Sequence, residues 1–220
     1  EWMRMVPDGV TFHTHRMALH GDTESTAGRA ALLADLDDAV GMLAQANVDA
    51  VAYACTAGSM VTPAKSLPEE LSLRTEQCCI TTSAAIIDAL TALGVRKLSV
   101  ATPYADALNA HEKHFLEAHG FEVLRLIGLG IGAGGPQEYP RIARTASLAV
   151  ADHARAAFVP GSDALLITCT DFPALTLIAS LEAELGVPVV TSNQATFWAM
   201  LRAAGVDDRF ETFGRLLADH

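Results

Sequence analysis

Positive charge is scarce in this sequence. Its 220 residues include 15 Lys and Arg against 26 Asp and Glu, a formal charge of −11. A nucleic-acid partner would require a basic stripe, so that class is excluded. A small anionic substrate is not, because backbone dipoles at a site outweigh distant net charge. Aromatic residues make up only 6% of the chain, and there are four cysteines: Cys55, Cys78, Cys79 and Cys169. None falls in a C-x-x-C pair, so spacing offers no structural zinc site. No apolar run is long enough to span a bilayer and no secretory segment opens the chain, which argues against a membrane partner. The thiols are therefore expected to be reduced, in a cytoplasmic protein.

Half of the residues are hydrophobic, enough for a full core at this length. Short β-rich runs alternate with amphipathic runs. Strand candidates are 10–17, 48–54, 78–81, 97–102, 121–127, 163–169 and 187–191. This alternation predicts an α/β fold with parallel sheets. Helical spacing runs through GRAALLADLDDAVGMLAQANV, through ADALNAHEKHFLEAHG up to Gly120, and through 173–185 before Gly186.

The chain also repeats itself weakly. AVAYACTAGSM (50–60) and ALLITCTDF (164–172) both place a Cys-Thr step after an apolar run introduced by Asp-Ala. Further on, TTSAAIIDALTALGV (81–95) aligns with SNQATFWAMLRAAGV (192–206). The common order predicts two pseudo-symmetric Rossmann-like lobes, each a parallel four-stranded sheet flanked by helices. Lobe one is expected to hold residues 1–94 and 195–220, and lobe two residues 95–194. Nothing in lobe one matches strand 97–102, so its first strand is expected to be missing from this chain.

Ligands of open α/β sheets bind at the carboxyl ends of strands. Cys55 and Cys169 lie at such ends, each expected before a helix whose free N–H groups would lower the thiol pKa and hold a carboxylate. Thr56, Ala57 and Gly58 on one side, and Thr170 and Asp171 on the other, are candidate substrate-binding residues. The turn Thr82-Ser83 adds hydroxyl donors at a neighbouring strand end. Two thiols reaching one carbon from opposite faces can invert a stereocentre by moving a proton. Alternatively, one thiolate adds to an activated C=C bond, which rotates before elimination. Neither route requires a metal or organic cofactor.

YACTAGSM, VATPYADALN and the SNQATFWAMLRAAG run resemble the aspartate/glutamate racemase superfamily, in its maleate cis-trans isomerase and arylmalonate decarboxylase branch. The resemblance implies a cofactor-independent isomerase acting on a small mono- or dicarboxylic acid. It also implies catalytic roles for Cys55 and Cys169, a substrate contact from Tyr104, and a homodimer or homotetramer. Arylmalonate decarboxylases keep only the second cysteine, so Cys55 favours the isomerase side. Alternatives are an amino-acid or hydantoin-type racemase, or a non-catalytic small-acid binder or thiol sensor of ectoine-utilisation type. Maleate isomerases carry an Asn in the loop after the GLGI strand, whereas this loop is Gly132–Gln137 without one.

Other signals have plainer explanations. GLGIGAGG (128–135) follows a strand, but Pro136 and Pro140 interrupt the helix that a dinucleotide fingerprint needs, leaving a loop or lid. His13 and His15 share one face of the predicted strand, with no third metal ligand evident. His111, His114 and His119 fall on a polar helix face and are expected to be solvated. Cys78 and Cys79 sit in a short strand as structural residues. Phe197, Trp198 and Leu201 are spaced as core or subunit interface.

Overall fold

A computed structural model describes residues 1–21 and 25–220. Four strands form one parallel sheet in the order β4-β3-β5-β6: β3 Lys97–Tyr104, β4 Glu122–Ile131, β5 Ala164–Ile167 and β6 Val189–Thr191. A second parallel sheet pairs β1 Val51–Tyr53 with β2 Cys79–Thr81, in the register Val51–Cys79 and Tyr53–Thr81. The α/β class with parallel sheets is therefore as expected. The first sheet, expected to lack its first strand, has two strands among the described residues.

One reason is the segment 10–17. Its alternating sequence reads as a strand, yet it runs as irregular chain with His13, His15 and Arg16 exposed. Alternation states which residues can share a face, but a strand also needs a neighbouring ladder, and this segment has none.

β5 is a fully buried inner strand of the larger sheet. Its sequence ALLI is buried throughout because β3 and β6 flank it and helices cover both faces. Leu165, Leu166 and Ile167 are each at most 1% exposed, and full burial of such side chains contributes roughly 1.5–3 kcal/mol apiece. Asp163 leads into β5 and its Oδ2 accepts from Arg96 N at 2.9 Å and Lys97 N at 2.8 Å. This fixes the start of β3 beside the start of β5.

The sequence repeat becomes a packed helix pair. α4 (Thr82–Ala92) follows β2, and α8 (Ser192–Ala203) follows β6. A strand-end threonine caps each: Thr81 Oγ1 accepts from Ala84 N, and Thr191 forms a capping box with Gln194. The two helices touch through Thr196 Oγ1, which donates to Thr82 Oγ1 at 3.0 Å. Gly94 and Gly205 follow them with φ of +69° and +73°, the left-handed conformation a glycine accepts without strain. The predicted first helix is α1, Thr26–Ala44, which buries Leu32, Leu36 and Val40. The expected helix 173–185 is shorter, with a 3-10 turn at Leu175–Leu177 and then α7, Ile178–Leu185.

Candidate active site

Cys55 and Cys169 open into one cavity of about 1490 Å³, with Thr56, Ala57, Gly58, Tyr104, Thr170 and Asp171 also in its wall. Eight of the ten residues singled out from sequence thus share a single space. Thr82 and Ser83 do not line it. Both are fully buried at the start of α4, where Ser83 N donates to Ser59 Oγ at 3.1 Å and its hydroxyl donates to Ser59 O. Ser83 holds α4 against α2 (Thr56–Ser59) and Thr82 meets Thr196 of α8, while the hydroxyl that caps α4 is that of Thr81.

Each sulfur is met by one phenol and one backbone amide. Cys55 is the N-cap of α2, and its Sγ accepts from Gly58 N at 3.4 Å and from the Tyr53 hydroxyl. Cys169 Sγ accepts from the Tyr104 hydroxyl and from Asp171 N. An ionised Cys55 is close enough to act on both Cys169 and Tyr104. Burial, more than the thiols beside them, pushes both phenols above the ordinary range.

Cys169 corrects one expectation. No α-helix begins there, and burial pushes its thiol up to about 12, against the lowering contacts of Tyr104 and Asp171. At neutral pH it is a protonated thiol. Its φ of +87° places a residue with a Cβ in the left-handed region, the kind of local strain that surrounding contacts must hold. Those contacts are visible: Cys169 N donates to Ser192 Oγ at 3.0 Å, and Phe172 N donates to Cys169 O at 3.1 Å. The same Ser192 hydroxyl receives Thr56 Oγ1 at 2.9 Å, so one serine ties the turn after β5 to the helix after β1. A second tie runs from Thr170 Oγ1 to Ala54 O at 3.2 Å.

Sequence reasoning missed Tyr53 and the cations Arg16 and Arg144, which also line the cavity. Tyr53 carried a signal: it lies two residues before Cys55 on an extended segment, hence on the same face. Gly58 marks the tight fit, since a Cβ there would lie 2.3 Å from the Tyr53 hydroxyl and 3.2 Å from Cys55 Sγ.

The histidine and cysteine readings also shift. His13 and His15 line the cavity from the irregular segment. His119 is not free in solvent: its Nε2 accepts from Ala64 N at 2.9 Å and its Nδ1 lies 2.7 Å from Phe115 O. His111 lies 3.0 Å from Met60 O. Cys79 is buried in β2 as expected, whereas Cys78 is exposed and precedes the strand. Phe197 and Leu201 belong to the core, 3% and 2% exposed, and their edges reach the cavity. In the Gly132–Gly135 turn, Glu138 Oε2 accepts from Gly132 N at 2.8 Å and Gly134 N at 3.3 Å. Those amides hold the Glu138 carboxyl below its usual range.

Two thiols at the ends of parallel strands, converging on a common cavity from two sheets, define a protein of the aspartate/glutamate racemase-like class. Comparison with known proteins narrows the class. The chain matches the arylmalonate decarboxylase family over residues 1–217, and it belongs to that family. It is 36% identical over 129 residues to the arylmalonate decarboxylase of Bordetella bronchiseptica, covering 58% of this chain and 52% of that protein. It is 28% identical over 230 residues to the maleate isomerase of Nocardia farcinica (strain IFM 10152), covering 94% of this chain and 83% of that one. Among solved structures, a cysteine-to-alanine variant of the maleate isomerase Iso from Pseudomonas putida S16 with maleate superposes with a TM-score of 0.86. That pair shares 27% identity over 99% of this chain and 88% of the other. A structure of arylmalonate decarboxylase gives a TM-score of 0.78 at 30% identity, over 86% of this chain and 84% of that one. No helix among the described residues is long and apolar enough to cross a membrane.

Proposed function

We propose that the protein is a cofactor-independent isomerase of a small unsaturated dicarboxylic acid, working by cis-trans isomerisation of the maleate type. One observation carries this reading: two sulfurs in one cavity, with Cys169 held as a neutral thiol. Relatives named maleate isomerase, aligned over nearly the whole chain, support it.

Cys55 adds as thiolate to one alkene carbon. The electron pair of the C=C bond moves onto the other carbon, and Cys169 S–H delivers its proton there. The new single bond rotates. Cys169, now a thiolate, takes the proton back, the C=C bond re-forms, and the C–S bond breaks to return the Cys55 thiolate. Every proton and electron pair is restored, so no co-reactant is consumed. The Tyr104 hydroxyl and Asp171 N–H stabilise the charge that appears on Cys169, and Gly58 N–H and the Tyr53 hydroxyl do so on the leaving Cys55. Arg16 and Arg144 supply cations for the substrate carboxylates.

A second reading is decarboxylation of a substituted malonate, with Cys169 alone protonating the carbanion. The match to the arylmalonate decarboxylase family and the apolar residues of the cavity wall, such as Phe12, Met17 and Leu36, favour it.

The test is to supply maleate and phenylmalonate separately and follow products by proton NMR with wild type, Cys55→Ala and Cys169→Ala. Conversion of maleate to fumarate that drops at least 100-fold in each variant supports the isomerase. Turnover of maleate undiminished in Cys55→Ala refutes the addition mechanism. Loss of carbon dioxide from phenylmalonate that depends on Cys169 and not on Cys55 selects the second reading.

A further inference from the structure

One buried acid has no part in the chemistry above. Glu112 lies on α5 (Asp106–Ala118) and is 2% exposed. It receives the Thr168 hydroxyl on Oε2 at 3.2 Å. Thr168 is the residue before Cys169, and its own N–H donates to Ala101 O at 3.0 Å. Glu112 therefore reaches the strained turn that carries the second thiol. It is also close enough to Tyr104 for its charge to act on that phenol.

The groups that face it are few. From the end of β5 comes the Thr168 hydroxyl, and from the end of β3 the Tyr104 phenol. On its own helix, Asn109 binds Thr102 and Tyr104 O, and His111 meets Met60 O. No cation pairs with Glu112 among the described residues. A carboxylate in such a place has lost its water without gaining a counter-charge, the costliest way to bury an ion.

We propose that Glu112 works as an un-ionised acid that positions the Thr168–Cys169 turn beside Tyr104, and that its ionisation ends the site's working range on the alkaline side. In its neutral form it accepts the Thr168 hydroxyl and holds the turn without adding charge. In its ionised form it places a negative charge beside the phenol that must donate to the Cys169 thiolate, and it opposes formation of that thiolate during the proton transfer. It also draws water toward the turn that holds Cys169 at positive φ. Burial, set against the single Thr168 contact, pushes Glu112 up to about 8, which locates the limit. Glu112 is a positioning residue: it acts through Thr168 and Tyr104 and touches no reacting atom.

The inference rests on the two-thiol reading of the site, and two measurements keep the two apart. The first needs no substrate: difference infrared spectroscopy of the whole protein across pH 6 to 10. A protonated-carboxyl C=O band should be present at pH 7, vanish as pH passes about 8, and be absent from Glu112→Gln. A wild-type protein lacking that band at pH 7 overturns the proposal whatever reaction it runs. It does so even if the variant proves too unstable to study. The second is the pH profile of kcat/KM for the acid that is turned over. Wild type should fall tenfold per pH unit above the limit. Glu112→Gln, neutral at every pH, should stay within about threefold of wild type at pH 7 and keep its activity at least one pH unit further. An alkaline limb unmoved in Glu112→Gln overturns the proposal. If none of the acids is turned over, the functional reading fails, and the rate of Cys169 alkylation between pH 7 and 10 replaces kcat/KM: it should rise less steeply above about pH 8 in wild type than in Glu112→Gln, and equal slopes in the two proteins overturn the proposal.

Discussion

Replacing Ser192 with alanine removes one oxygen and disturbs two elements at once. The Ser192 hydroxyl accepts from Cys169 N at 3.0 Å and from Thr56 Oγ1 at 2.9 Å, and both Ser192 and Thr56 are at most 2% exposed. A buried donor stripped of its partner costs about 1–3 kcal/mol, so two such donors set an upper limit of about 6. The effect is smaller than that limit for two reasons. The Thr56 hydroxyl can turn to another acceptor, and Cys169 borders the cavity, where water can meet its N–H. The expected loss is therefore about 2–4 kcal/mol of folding stability. Function should fall further than stability alone explains, because Cys169 at φ +87° relaxes once its N–H tether is gone. Urea unfolding followed by circular dichroism measures the first, and maleate turnover under conditions where the variant is fully folded measures the second. Adding Thr56→Ala should cost less in the Ser192→Ala background than in wild type, by about 1 kcal/mol, since the two share a hydrogen bond. A Ser192→Ala variant within 0.5 kcal/mol of wild type by the surface-substitution yardstick, with unchanged turnover, would refute the bridging role.

Two further substitutions probe the site's surroundings. Gly58→Ala puts a methyl 2.3 Å from the Tyr53 hydroxyl, so the phenol must leave Cys55 Sγ; turnover is expected to fall at least tenfold while urea stability changes by about 1–3 kcal/mol. Unchanged turnover would show that the Tyr53 contact is dispensable. Glu112→Gln should stabilise the protein at neutral pH. The acid is raised from its ordinary 4.5 to about 8, so the folded state holds a proton that the unfolded chain has released. Wild-type stability is then full below the unfolded value and falls by about 1.4 kcal/mol per pH unit until pH passes the folded value. At pH 7 the variant should be more stable by about 3 kcal/mol, and at pH 4 the difference should vanish. Parallel stability–pH curves for the two proteins between pH 5 and 8 would contradict this.

The parts of the fold that could be read in advance are those governed by local pattern. The run ALLI before Thr168 and Cys169 is buried because it is uniformly apolar and short, the mark of a central parallel strand. The Thr-capped starts of α4 and α8 follow from strand-end threonines, whose side chains reach their own helix's N–H groups. Where sequence reasoning failed, the deciding partner lay far along the chain. Segment 10–17 has the alternation of a strand and no strand to pair with. Thr82 and Ser83 looked like turn hydroxyls and became contacts between helices, because α8 and α2 pack over them. His119 looked solvated on its helix and was captured by Ala64 N, from a segment more than fifty residues earlier.

Local sequence determined that Cys55 and Cys169 each end an apolar run and are followed by polar chain, because strand burial and helix capping act over only a few residues. Whether the two sulfurs would share a cavity was decided by tertiary structure, through contacts such as Thr56 to Ser192 that join distant segments. The protonation of the site was decided there too. Glu112 is an ordinary carboxylate in the sequence, and only the packing that strips water from it raises it from 4.5 to about 8; the same packing pushes the Cys169 thiol, already above 7 in water, up to about 12.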